Sequence, residues 1–299
     1  MSVSAKNIRN IAIVGHSGEG KTTLCEAILF NGGAIERMGR VDTGTTVSDF
    51  DEQEIARKMS VSLSAAYTTW KDVKINLLDC PGFYDFEGEV NEAMRACGAA
   101  IVVMGANGTL TVGAEKAINQ CLRAKKPLII FINGMDKDNA DYHGTVRALQ
   151  EKYKNKIAPI QIPMMEGSKM TGNVNALTEK AYRFTNTGPE EITVPDAYRR
   201  DFDEMRLSLM EAAAENDDVL LEKYFEDGQL SREDIIHGIR KGIYNINVIP
   251  VMAGSALQNK GVINLMNEIV KYLPEAAERA EVPATDLQKD TVIGVTCEE

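Results

Sequence analysis

The octapeptide GHSGEGKT, Gly15 to Thr22, sets three glycines ahead of a lysine and a threonine. Glycines let backbone N–H groups converge on one point, and at a helix N-terminus those groups attract an anion. With a strand before it and a helix after it, the pattern G-x-x-x-x-G-K-[ST] cradles phosphates. The expected binding residues are Gly15, His16, Ser17, Gly18, Glu19, Gly20, Lys21, Thr22 and Thr23. Lys21 brings a charge for the outer phosphates and Thr22 a hydroxyl for magnesium.

A second stretch, LLDCPGFYDF, delivers Asp79 from an apolar run into a Pro-Gly turn. Alone, Asp79 is an acid that begins an ordinary turn. Behind a phosphate loop it suits the outer ring of a magnesium site, and Gly82 N–H suits the γ-phosphate. The next residue, Phe83, can neither donate nor accept a hydrogen bond. A third pair of stretches is NGMD, from Asn133, and GSAL, to Leu257. A carboxylate such as Asp136 accepts two hydrogen bonds from the N1–H and amine of guanine; adenine offers no such pair. Each tetrapeptide alone reads as a polar strand-end loop, and their order behind the phosphate loop gives them weight. The base-site residues are then Asn133, Met135, Asp136, Ser255, Ala256 and Leu257, and Ser60 joins Thr22 and Asp79 as a metal candidate.

These residues need a rigid frame. IRNIAIVG, VKINLLD, AAIVVM, LIIFIN and VIPVMAG are short apolar, β-branched runs. Helical patterns separate them at 21–30, 84–97, 112–124, 142–155 and 260–273. Strands alternating with helices indicate an α/β fold, a P-loop NTPase-type mostly parallel sheet covered on both faces. Residues 34–60 show no steady period and read as a mobile loop. The interval after LIIFIN is far longer than one crossover, so 158–247 reads as an inserted α+β subdomain with amphipathic helices from Asp201 to Tyr244. The expected division is 1–157 with 248–280 as the nucleotide-binding domain, 158–247 as the insert, and 281–299 as a linker toward a next domain.

Composition narrows the classes. At 299 residues and 44% hydrophobic, the chain buries a sizeable core. The net charge of −11 argues against a generic nucleic-acid coat, so no DNA partner is expected. No run of 18 apolar residues or secretory signal is read, which implies no membrane and a cytoplasmic protein, expected to be monomeric. Five scattered cysteines, Cys25, Cys80, Cys97, Cys121 and Cys297, without a C-x-x-C pair, argue against disulfides or zinc.

From NIRNIAIVGHSGEGKTT to YLPEA the chain resembles translational GTPases, most closely elongation factor G and its paralogues. The most specific segments are DCPGFYDFEGEV, SLMEAAAENDDVLLEKYFEDGQLSREDI and PVMAGSALQNKGVINLMNEIVKYLPE. The resemblance implies GTP, GDP and Mg2+ as ligands, GTP hydrolysis, and action on the ribosome through ribosomal RNA and stalk proteins. A protection or release-type factor is the alternative within the family. Outside it, the alternatives are a non-hydrolysing ribosome-binding switch and an ATP-using metabolite kinase.

Four positions depart from the family's pattern. Gly18 replaces an Asp that holds a monovalent cation near the phosphates. Arg57-Lys58-Met59-Ser60-Val61 stands where the family reads R-G-I-T-I, and Ser60 keeps the magnesium hydroxyl. Gly134 replaces a lysine whose stem covers the base, which implies weaker nucleotide binding. Phe83 replaces the His that orients the attacking water. Two readings of Phe83 stay open: hydrolysis is slow, or another group (Tyr84, Asp85 and Glu87 are nearby in sequence) orients the water.

The remaining features have bland readings. Met164, Met165 and Met170 suit core filling. His143 and His237 stand alone, and His16 shapes the loop. The basic runs at Arg123–Lys126 and Lys152–Lys156 are solvated helix ends, or a local ribosomal RNA contact. The acidic face of Glu211, Glu215, Asp217, Asp218 and Glu222 is solvated, or meets a stalk protein.

Overall fold

The computed structural model of the chain describes residues 3–185, 188–278 and 282–295. A seven-stranded sheet runs in the order β2 (Ser64–Trp70), β3 (Val73–Asp79), β1 (Ile8–Gly15), β4 (Ala99–Gly105), β5 (Leu128–Asn133), β11 (Ile249–Ala253), β6 (Ile157–Pro159). Only β2 is antiparallel to its neighbour. β4 and β11 are apolar throughout because helices cover both their faces, and every residue in them is buried. Along β1, Ile11 and Ile13 enter the core shared with α1 (Lys21–Asn31) and α9 (Val262–Tyr272). Ala12 and Val14 alternate to the other face, against α3 (Glu87–Ala96), α4 (Val112–Arg123) and α5 (Tyr142–Tyr153). Thr111 caps α4 and Asp141 caps α5 through backbone N–H groups.

The strand order reverses at β1, whose neighbours β3 and β4 lead to opposite edges. In open sheets of this kind, the crevice beyond the carboxyl ends of the strands at such a reversal binds ligands. All three sets of candidate residues sit at those strand ends.

A second sheet is antiparallel, ordered β10 (Gly188–Ile192), β9 (Lys180–Thr185), β8 (Lys169–Asn175), β7 (Gln161–Glu166). α6 (Arg199–Ala214), α7 (Asp218–Asp227) and α8 (Arg232–Tyr244) follow it. Asp217 caps α7, and Ser231 with Asp234 forms a capping box on α8. Phe202 and Leu209 of α6 and Ile235 and Ile239 of α8 bury into the core that also holds α1 and α9. Met164 and Met170 are buried and Met165 half-buried, all within apolar cores.

Several expectations need revision. The boundary at 157/158 falls inside β6, which pairs with β11 at the main sheet's edge. β2 is a strand that the apolar runs did not reveal, because this edge strand is half exposed and carries Ser, Thr and two alanines. The helix expected from 84 begins as a 3-10 turn, Tyr84–Phe86, and becomes α-helical at Glu87. Residues 34–60 hold a short helix, α2 (Glu52–Arg57). In place of a plain linker, β12 (Val282–Asp286) and β13 (Thr291–Val295) pair as a hairpin. Cys25, Cys80, Cys97 and Cys121 are buried, and Cys297 lies outside the described residues. No helix among the described residues is long and apolar enough to cross a membrane.

Candidate nucleotide-binding site

The loop between β1 and α1 opens onto a cleft of about 560 Å³. Ser17, Gly18, Glu19, Gly20, Lys21, Thr22 and Thr23 line it together with Asn133, Gly134, Asp136 and Leu257. Gly20 is the N-cap of α1 at φ +90°, and a Cβ there would collide with the Asn133 amide. Only glycine meets both conditions. Lys21 is buried, and its Nζ donates to the His16 carbonyl at 3.0 Å, so the loop closes on its own lysine. Burial lowers the Lys21 pKa, while the Asp79 carboxylate opposes that shift.

Asp79 ends β3 beside Ile13 of β1, which places it behind Thr22 rather than in the cleft wall. Burial pushes its carboxyl up to about 6, against the opposing pull of the Thr22 hydroxyl and the Lys21 charge. Neither of its oxygens has a hydrogen-bond partner of normal geometry. Asp49, a residue that the sequence reading passed over, sits in the cleft wall in the same condition. Its pKa is raised by burial first, with Ser60 opposing. Between these acids, Thr22 Oγ1 and Ser60 Oγ lie 3.1 Å apart. Four orphaned carboxylate oxygens beside two hydroxyls fit a hard dication that keeps several waters. Thr22 and Ser60, with Asp79 and Asp49 beside them, would hold magnesium.

Two buried glutamates position Ser60 and the cleft wall. Glu26 of α1 accepts from Gly39 N–H at 2.7 Å and Val47 N–H at 2.6 Å, drawing residues 39–47 onto the helix. Glu54 accepts from Val61 N–H at 2.9 Å and Ser62 N–H at 3.1 Å, and closes a capping box with Asp51. The segment without a hydrophobic period is therefore held by carboxylate–backbone bonds.

Asn133 ties three loops together. Its Nδ2 donates to the Glu19 carbonyl at 2.8 Å, and its Oδ1 accepts from Ala256 N–H at 2.9 Å. Ser255 is buried, and its Oγ accepts from Gln258 N–H at 3.1 Å, so it shapes the loop instead of facing the cleft. The Ala256 side chain is also buried. Met135 turns into the core, away from the cleft, while Asp136 and Leu257 face it. Lys137, which the motif reading omitted, lines the cleft as well.

Three other residues, Gly15, His16 and Phe83, stand apart from the cleft wall, while Gly82 borders it. Gly15 ends β1, and the His16 ring lies 6.1 Å from the Tyr84 ring with Nδ1 buried and unpartnered. Gly82 packs so closely on Lys21 Nζ and Ser17 N that any side chain there would collide with the phosphate loop. Phe83 is 40% exposed and lines a shallow hollow with Tyr84, Glu87 and Lys116. In that hollow Lys116 Nζ sits 4.5 Å from the Tyr84 ring centre and 2.8 Å from Glu87 Oε2. Both side chains are thus engaged with Lys116.

Fold and site together define a P-loop nucleotide-binding domain of the GTPase type. Residues 6–275 match the family model described as the elongation factor Tu GTP binding domain, and the chain belongs to that family. A solved structure, ttk003000868 from Thermus thermophilus, is similar at 34% identity and a TM-score of 0.87. The match covers 93% of this chain and 42% of that one, so the chain spans about two-fifths of that protein's length.

Proposed function

We propose that the chain is the nucleotide-binding part of a ribosome-associated translational GTPase of the elongation factor G kind. It binds GTP and GDP with magnesium and hydrolyses GTP slowly when alone. One observation carries the reading: Lys21, Thr22 and Asp136 line a single cleft, and Asn133 bonds the phosphate loop to the loop after β11. Phosphates and guanine therefore have separate anchors in one cavity.

Lys21 and the Gly82 N–H hold the γ-phosphate, and the Gly15–Thr23 backbone cradles the rest. For a γ-phosphate to reach Lys21, the Lys21–His16 bond opens and Gly82 draws back, which links nucleotide state to the segment after Asp79. Magnesium, when bound, neutralises charge on the phosphate oxygens. Asp136 accepts from the base edge, and its acid excludes adenine by leaving polar groups unpaired. No side chain at 83 faces the cleft to orient water, so turnover falls on the slow scale of roughly 10⁻⁴ to 10⁻³ per second for an unassisted small GTPase. That same observation favours a second reading, a GTP-dependent switch on the ribosome that hardly hydrolyses.

Within this proposal, residues 1–157 and 248–280, extended by the rest of β6 to Pro159, form the GTP-binding unit, the insert follows to 247 with its acidic helix face meeting a ribosomal stalk protein, and the protein works as a cytoplasmic monomer. Calorimetry tests the core of it. GDP should bind at least about a hundredfold more tightly than ADP in magnesium buffer, as expected when the wrong base leaves buried polar groups unpaired. Equal affinity for the two would refute a guanine site.

A further inference from the structure

Residues 134–137 form one tight turn. Lys137 N–H donates to the Gly134 carbonyl at 3.1 Å, while Met135 N–H anchors the turn to the Gly254 carbonyl at 3.1 Å. Gly134 takes φ +83°, a conformation that side-chain-bearing residues resist. The turn folds Lys137 back across Gly134. A Cβ at 134 would lie 3.3 Å from Lys137 Cε, 3.4 Å from Cδ and 3.6 Å from Nζ. Gly134 is accordingly buried although it borders the cleft, and Lys137 above it is exposed. The lysine stem lies in van der Waals contact with the place a Cβ at 134 would take.

Asp136, in the middle of this turn, meets the edge of a base, so the base plane lies alongside the turn. A purine face is apolar and gains from cover, and a lysine stem covers apolar surface while its ammonium stays in water. We propose that the Lys137 stem, laid over Gly134, covers one face of the guanine that Asp136 holds, making Lys137 an affinity-determining residue of the cleft. This inference rests on the guanine-nucleotide reading above.

The test is calorimetric titration of GDP and of inorganic tripolyphosphate into the wild-type chain, Lys137→Ala and Lys137→Met, with circular dichroism to show that each variant folds. Lys137→Ala uncovers about two methylenes' worth of apolar contact and should weaken GDP about tenfold, or about 1.4 kcal/mol. Lys137→Met keeps the stem without the charge and should stay within about threefold of wild type. Tripolyphosphate, which has no base, should bind all three alike. Unchanged GDP affinity in Lys137→Ala would overturn the inference. So would equal losses in Ala and Met, or a parallel loss for tripolyphosphate, since both would make Lys137 a charge contact to phosphate or ribose. ADP titrated into the wild type beside GDP keeps the two claims distinguishable: no preference for GDP would overturn the guanine reading and this inference together.

Discussion

Removing the Asn133 side chain should uncouple the phosphate loop from the loop after β11. The amide makes one bond to the phosphate loop, at the Glu19 carbonyl, and one to the loop after β11, at Ala256 N–H. Each such bond contributes about 0.5–1.5 kcal/mol net, so Asn133→Ala should cost about 1–3 kcal/mol of loop organisation. If that organisation is needed only when nucleotide binds, GDP affinity should fall by about 5- to 150-fold. Asn133→Asp offers a sharper comparison: it keeps the acceptor for Ala256 N–H but turns a carboxylate oxygen on the Glu19 carbonyl. It should therefore bind GDP no better than Asn133→Ala. The assay is GDP titration by calorimetry, with urea midpoints measured alongside to separate global unfolding from loss of the site. GDP affinity in Asn133→Ala within a factor of two of wild type, with a normal midpoint, would refute the claim that this residue joins the two anchors.

Other outcomes follow from the same contacts. Glu54→Ala removes the acceptor for Val61 and Ser62 N–H and breaks the capping box, so it should cost about 0.5–2 kcal/mol by urea unfolding. It should also weaken the magnesium dependence of GTP binding, because Ser60 loses its placement; unchanged magnesium dependence would count against Ser60. Phe83→His should leave single-turnover GTP cleavage by the isolated chain within about threefold of wild type, since position 83 faces the Tyr84 hollow; a rise of tenfold or more would show that the segment swings into the cleft. Glu268 is fully buried with Oε1 bound to Asn175 at 2.9 Å, and burial raises its pKa above the ordinary 4.5. The folded state thus favours the neutral acid, and the carboxyl costs stability as pH rises above 4.5 through the raised folded value. Glu268→Gln keeps the acceptor for Asn175 without the charge, so its melting temperature should exceed wild type by a few degrees, roughly, at pH 7 and converge with it near pH 4. A difference independent of pH would contradict that assignment.

The frame was legible because its central strands are buried on both sides: LIIFIN and AAIVVM have no alternative but the interior of a sheet. The phosphate loop was legible because glycine, lysine and threonine at that spacing have one shared use. The base end was legible only as a set, since Asn133 does its joining through partners 114 and 123 residues away. What stayed hidden lacks a period. The segment from 34 to 60 is organised by Glu26 and Glu54 accepting backbone N–H groups, and such bonds leave no hydrophobic pattern. Its one local signal was Asp51 followed three residues later by Glu54, a capping box. Asp49 reads as one acid among many until folding buries both oxygens beside Ser60. Met135 was counted with its motif, but its side chain belongs to the core because its N–H, not its thioether, does the work of the turn. Gly134 suggested an uncovered base, and only the turn geometry shows that Lys137 folds back over Gly134.

The most direct test of a guanine site is to reverse its chemistry at Asp136. Xanthine carries a carbonyl where guanine carries its exocyclic amine, so Asp136→Asn offers an amide donor to the new oxygen and still accepts from N1–H. Titration of the variant with GDP and xanthosine diphosphate should show preference inverted, with GDP weakened by about a hundredfold or more. If Asp136→Asn still prefers GDP as the wild type does, Asp136 does not read the base and the guanine assignment fails.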